Sequence, residues 1–249
     1  MAVPLALSDL AAEQWGLVTA AQARPLDVTP QALARFARQG ILERLVHGVY
    51  RVAGTPPSPL DDLRVAWLVL DPARRALDRL RDPNPAVVSF RSAAAVHGLG
   101  DLAADIMEFT VSGRKQTRRP DVRIHRGELG PEGWTIVDGL PVTTALRTIQ
   151  DLASARIDGG HLASVVRDAL TLQLVDDGQV AEALRPNAHQ YGATIGDGDA
   201  LVSRFLAEAG VPDTFGRVAA RASGAGIDPA ILANRAAPTP SSRSASPHT

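Results

Sequence analysis

Gln31, Arg35 and Arg38 stand four and three positions apart, the spacing that gathers side chains on one face of an α-helix. An amide and two guanidinium groups on one face do not break bonds. They donate and accept hydrogen bonds in the patterns that base edges and phosphates present: arginine to guanine, glutamine to adenine. Thr29 stands directly before Pro30, a capping residue followed by proline at the first helical position. Its hydroxyl and backbone N–H suit a phosphate. Arg44, His47 and Arg51 decorate two short apolar runs, 41–46 and 49–52, which turn at His47-Gly48. On a hairpin beside that helix they would meet the DNA backbone or minor groove.

These side chains need a frame. The sequence predicts a first helix over 9–15, capped by Ser8 and stopped by Gly16. It predicts a second over 20–24 behind Thr19, and a third over 30–39 that ends at Gly40, a natural left-handed stop. Three short helices and a two-stranded wing within about fifty residues make a winged helix-turn-helix. Leu33, Phe36 and Ala37 form the third helix's apolar side. A two-stranded hairpin is marginal alone in water, so the wing must lean on these helices. A polar stripe also suits a merely solvated face; its place on the helix that this architecture sends into the major groove favours DNA.

Composition sets limits on the rest. The 249 residues suit one or two domains, 45% are hydrophobic, and the net charge is −1. There is no cysteine, which excludes disulfides, thiolate catalysis and zinc ribbons. Lys115 is the single lysine; the arginine excess is also what a GC-rich genome writes. A dedicated nucleic-acid binder is usually more basic, so DNA contact must come from local patches, and one copy of the head should bind weakly. The start, MAVPLALSDL, lacks a basic leader region. The longest apolar stretch, 65–70, is too short for a membrane span. The expectation is a cytoplasmic protein with no membrane partner.

The segment 53–59, AGTPPSP, reads as a stiff linker. Beyond it Ser58 and Asp61 open a helix with a capping-box pattern, and a further helical stretch covers 73–80. Then AVVSF reads as a strand, RSAAAVHGLG as a short helix closed by Gly98, and IMEFTVS as a half-buried strand with Glu108, Thr110 and Ser112 on its polar side. DVRIHR alternates likewise, Asp138-Gly139 marks a hairpin, and Thr143 or Thr144 caps the helix ALRTIQDLAS. After Gly160 the pattern is helical, and 236–249 is a Pro/Ser/Thr/Ala tail expected to be disordered. The fold class is α+β: a winged helix-turn-helix at 1–54, a mixed α/β domain with a helical C-terminal part at 55–235, then the tail.

Enzymatic signals are poor. The six histidines never stand at metal-ligand spacing, and there is no nucleophile elbow, P-loop or dinucleotide fingerprint. In GDGDA, Asp199 is expected to cap the following helix rather than bind metal. Lys115 has no carboxylate two places before it, against the commonest nuclease motif. The chain is therefore read as a non-enzyme without cofactor or metal. Arg114, Lys115, Arg118, Arg119, Arg123 and Arg126 cluster in one stretch; it is either a second nucleic-acid or partner contact or a solvated loop. Arg147 and Asp151 stand at i, i+4, where a surface ion pair is expected, and His97 suits a helix-end histidine bonding carbonyls.

Taken together, GLVTAAQA, LARFARQGILERLVHGVYRVAG, VVSFRSAAAVHGL and GLPVTTALRTIQDLA resemble the AbiEi family of antitoxins, in order and spacing, over about residues 8–155. The resemblance implies a winged helix followed by an antitoxin domain in a bacterial type IV toxin–antitoxin system. Such a protein represses its own operon at inverted repeats and counters a nucleotidyltransferase-like toxin without a stable complex. By position, Thr29, Gln31, Arg35 and Arg38 match the recognition helix, and Arg44, His47 and Arg51 the wing. Ser89, Ser92, His97, Arg147 and Asp151 match motif positions of the second domain. Asp27 departs from the pattern, which often has glycine there. The protein would act as monomer or dimer on DNA. The alternatives are a stand-alone winged-helix regulator without a toxin partner and a divergent nuclease.

Overall fold

The computed structural model describes residues 5–209. The first helix, α1 (Leu5–Ala12), is followed by β1 (Leu17–Thr19), α2 (Ala20–Ala23), α3 (Pro30–Arg38), β2 (Leu42–Val46) and β3 (Val49–Val52). Ser8 lies inside α1 rather than capping it, and α1 stops at Ala12 instead of continuing to residue 15. Trp15 and Gly16 both take positive φ, +60° and +75°. That turn releases three residues as a strand the sequence did not announce. β1 pairs antiparallel with β3, so the sheet order is β1-β3-β2. The hairpin leans on this third strand as well as on the helices.

The local signals for α2 and α3 are satisfied. Thr19 accepts from the Gln22 N–H while the Gln22 side chain returns to the Thr19 N–H, a complete capping box. Thr29 accepts from the Ala32 N–H at 3.2 Å, with Pro30 behind it. Asp27 takes the left-handed conformation, φ +57°, in the turn before α3. Asp tolerates that conformation better than most residues with a side chain, so the departure from glycine leaves the turn intact. Leu33 and Phe36 join Leu7, Leu10, Val18, Leu42 and Tyr50 in the core of the head.

The following part contains α4 (Asp61–Leu70), α5 (Ala76–Leu80), β4 (Val87–Val88), α6 (Phe90–His97), β5 (Met107–Val111) and β6 (Val122–Arg126). Then come β7 (Trp134–Val137), β8 (Leu140–Thr143), α7 (Ala145–Ser154), α8 (Gly159–Thr171), α9 (Asp177–Leu184) and α10 (Gly198–Glu208). Five strands form a mixed sheet in the order β6-β5-β4-β8-β7, with β4/β8 and β5/β6 parallel. The expected α+β class holds. The Asp138-Gly139 turn joins β7 to β8 with both φ positive, +48° and +79°, the geometry of a type I′ hairpin. The helices α6–α10 enclose a second core around Ile149, Leu162, Val166 and Phe205.

Asp197, not the expected Asp199, caps α10 by accepting from the Ala200 N–H at 2.9 Å. The chain after the 53–59 segment packs directly against the head. Leu17 and Val49 of the head share one core with Trp67, Leu68, Phe109 and Val142. Trp15 Nε1 donates to the Asp138 carbonyl at 2.9 Å, and its ring meets Trp67 edge-on at 6.0 Å. The Thr19 hydroxyl donates to the Pro72 carbonyl and Gln22 Nε2 to the Arg74 carbonyl. The proposed tail, 236–249, lies outside the described residues.

Candidate nucleic-acid interface

The third helix turns its faces as its spacing predicts. Leu33 and Phe36 are buried, while Thr29, Gln31, Arg35 and Arg38 are exposed. Neither Arg35 nor Arg38 makes an ion pair among the described residues. The nearest partner of Arg35 is the ring of Phe36, 5.6 Å from the guanidinium carbon. These two cations are therefore available to an outside anion. The Thr29 hydroxyl accepts from Ala32, which fixes it at the N-terminus of α3, where free N–H groups favour negative charge.

Beside α3 runs an open groove lined by Ala37, Arg38, Gly40, Leu42, Glu43, Arg44, Ala53 and Gly54. The wing forms its other side. Arg44 and His47 are exposed at the wing and bond each other, Nη2 to Nδ1, at 2.9 Å. Gly48 closes the turn at φ +78°, a conformation that side chains rarely adopt. A register shift between Arg44 and Val46 twists the strand there.

Arg51 does something else. Its guanidinium is only 13% exposed and lies 2.6 Å from Glu43 and 2.7 Å from Asp61. The hydrogen bond and charge of Glu43, aided by Asp61, hold its pKa above the usual value against burial. Arg51 is thus a brace, not a free wing cation. It pairs Glu43, which lines the groove, and ties β3 to the N-terminus of α4. Strand alternation alone cannot distinguish an arginine that points outward from one that has found two carboxylates.

The second basic stretch separates into three groups. Arg119 is paired with Asp121 at 2.5 Å, and Arg123 lies 3.5 Å from Glu108. Arg114 and Lys115 line a cavity. Arg118 and Arg126 are exposed and unpaired among the described residues.

The motif positions of the second part form two separate groups: Ser89 and Ser92 bond to β5 around Glu108, which His125 faces, and Arg147 bonds Asp151 on α7. The predicted polar face of β5 is not open to water: Glu108 is 4% and Thr110 3% exposed. The start of α6 covers it. Ser92 Oγ accepts from the Glu108 N–H at 2.9 Å, the Arg91 N–H donates to the Glu108 carboxylate at 3.0 Å, and His125 Nε2 lies 3.1 Å from it. Ser89 accepts from the Thr110 hydroxyl at 2.8 Å. Burial pushes the Glu108 carboxyl up, but His125, the Arg91 N–H and Arg123 outweigh it and hold the group below the usual range. Phe90 stacks on His125 at 3.8 Å with φ +52°, an uncommon backbone state for a bulky residue. The clean alternation that puts Glu108 and Thr110 on one side of β5 was the one sequence signal for this cluster.

Arg147 and Asp151 do pair, at 2.8 Å, yet not on the surface: Asp151 is 8% exposed and its Oδ2 has no hydrogen-bond partner. Burial raises its pKa, partly offset by Arg147 and the charge of His125. His97 stands apart, its Nε2 2.7 Å from the carbonyl of Thr143 on β8, so it ties helix to sheet rather than closing its own helix. Apart from Asp151 Oδ2, the buried polar groups of these positions bond one another or the backbone. Among the described residues no group of three or more His, Asp or Glu could hold a metal ion. No helix among them is long and apolar enough to cross a membrane.

Residues 6–53 match the family model of AbiEi antitoxin transcriptional regulators. No curated protein matches the chain. The matched segment spans α1 through β3, the winged helix-turn-helix that carries the exposed arginines.

Proposed function

We propose, from a head that matches the AbiEi antitoxin regulators, that the protein is a DNA-binding antitoxin that represses its own toxin–antitoxin operon. Gln31, Arg35 and Arg38 enter the major groove, Thr29 holds a phosphate at the N-terminus of α3, and Arg44 and His47 contact the flanking backbone or minor groove. The observation that carries this is the pair Arg35 and Arg38, exposed and without an ion-pair partner among the described residues on the solvent-facing side of a capped helix. Few free cations mean weak binding by one copy, because affinity follows the number of phosphates neutralised. Two copies on inverted repeats supply the rest. Following the family resemblance, the toxin is nucleotidyltransferase-like and is countered without a stable complex, as in type IV systems.

A gel-shift titration on the DNA upstream of the gene, at two salt concentrations and against scrambled DNA, tests the repressor half. A specific shift that weakens with salt supports it; equal affinity for scrambled DNA overturns it. The family match lies wholly within the head, which favours, as second reading, a stand-alone winged-helix regulator. Co-expression with the neighbouring toxin gene separates the two: growth rescue requires the antitoxin, and failure to rescue leaves the regulator.

A further inference from the structure

A cavity of about 230 Å³ opens where α5 meets the loop after β5. Arg74, Arg79, Arg114 and Lys115 line it against two carboxylates, Asp71 and Asp82. Arg74 takes both carboxylates, at 3.9 Å and 2.7 Å. Arg79, Arg114 and Lys115 have no ion-pair partner among the described residues.

Arg79 is the decisive residue. It is 3% exposed. Its guanidinium lies 3.5 Å over the Trp67 ring, and Nη1 donates to the Trp67 carbonyl at 2.6 Å. A guanidinium carries five N–H donors, and this is its single hydrogen bond among the described residues. Burying a cation without a direct ion pair is costly. Burial lowers its pKa to about 10, opposed by the charges of Asp71 and Asp82 and aided by that of Arg74, so it stays charged at neutral pH. Partial desolvation also lowers Lys115, opposed by Asp71 and aided by Arg79 and Arg74. The chain thus gathers positive charge in a concave place and leaves part of it without a counter-ion.

We infer that this cavity binds a free phosphoryl group, a phosphate ester or pyrophosphate, with Arg79 as the buried anchor and Arg114 and Lys115 at the mouth. Planar guanidinium forks match phosphate oxygens, and a dianion fits the excess of two cations over carboxylates. At about 30 Å³ of liquid volume per water, the space holds one or two phosphoryl groups but not a duplex. The segment leading into the cavity is also the seat of the head: the carbonyls of Pro72 and Arg74 accept from Thr19 and Gln22, and the Ala76 N–H donates to Gln14.

The test is thermal unfolding of the full chain in inorganic phosphate and in pyrophosphate, against sodium chloride of matched ionic strength. The expected result is a saturable rise in Tm, about 3–5 °C at ten times Kd for a unit of this size. Arg114→Ala with Lys115→Ala, both solvent-exposed, should fold normally and weaken pyrophosphate binding at least tenfold. Arg79→Lys, which keeps the charge and loses the fork, should weaken it further. A rise no larger than in chloride, or the same affinity in the double variant, overturns the inference. So does displacement of pyrophosphate by scrambled duplex DNA, which would assign these cations to a polynucleotide backbone.

Discussion

The exposed side of α3 and the buried acids of the second part put charged residues to opposite ends. On α3, Arg35 and Arg38 are exposed and unpaired. Beneath α6, Glu108 is buried and bonded to Ser92, Arg91 and His125, and on α7 Asp151 is buried and bonded to Arg147. A charge left in water contributes little to folding and stays available to a ligand. A buried charge must be answered within the chain. The first region thus leaves its cations open to solvent, and the second ties strands to helices within the chain.

The largest expected effect falls on the outward region. Arg35→Ala with Arg38→Ala should lower operator affinity by roughly 100-fold or more, at 1–3 kcal/mol per arginine contact. Its unfolding free energy should stay within about 0.5 kcal/mol of wild type, as is usual for surface changes. Operator footprinting retained by a folded double variant would erase the contrast.

The inward region should show the reverse. Glu108→Ala strips the Arg91 N–H and His125 of their partner and should cost about 3 kcal/mol in urea unfolding, as for removing one member of a buried pair. Glu108→Gln, which keeps an acceptor, should cost less. Operator affinity of the refolded variants should not change. A cost below about 0.5 kcal/mol would mean that the cluster is more open than its burial implies.

The two buried acids also differ in sign. The Glu108 pKa is depressed, so its stabilisation is present above the unfolded carboxylate value and fades as pH falls through the lower folded value. The Asp151 pKa is raised, so its contribution is fullest below the unfolded value and fades as pH rises through the folded one. Asp151→Asn keeps an acceptor for Arg147 and removes the buried charge. It should therefore lose less stability than wild type between acid and neutral pH, and Glu108→Gln should lose less on acidification. Parallel stability–pH curves for Asp151→Asn and wild type would contradict the raised value.

The smallest effect is expected at the loop after β5. Arg118→Ala should reduce the slope of log affinity against log salt by about 0.9, one phosphate contact. An unchanged slope would confine DNA contact to the head.

Much of the head was legible in the sequence. Thr19 and Thr29 cap their helices, Gly40 and Gly48 turn where glycine is needed, and the 3.6-residue period of α3 separates Leu33 and Phe36 from Arg35 and Arg38. Such signals act within a few residues of chain, where local sterics and single hydrogen bonds decide the outcome. The hairpin at Asp138-Gly139 and the cap at Thr144 belong with them.

Tertiary structure alone decided the rest. β1 is three residues long, too short to show a period, and exists because β3 offers it an edge. Arg51 and Arg35 look alike in sequence; Arg51 finds Glu43 and Asp61 eight and ten positions away, and Arg35 finds water. The polar side of β5 reads as solvated and is covered by α6. Arg79 sits in an ordinary amphipathic turn, yet Trp67 and the fold of α5 bury it beside a cavity. Periodicity names the side of an element that is polar; whether that side meets water, a partner charge or an unfilled pocket depends on which distant segments pack against it.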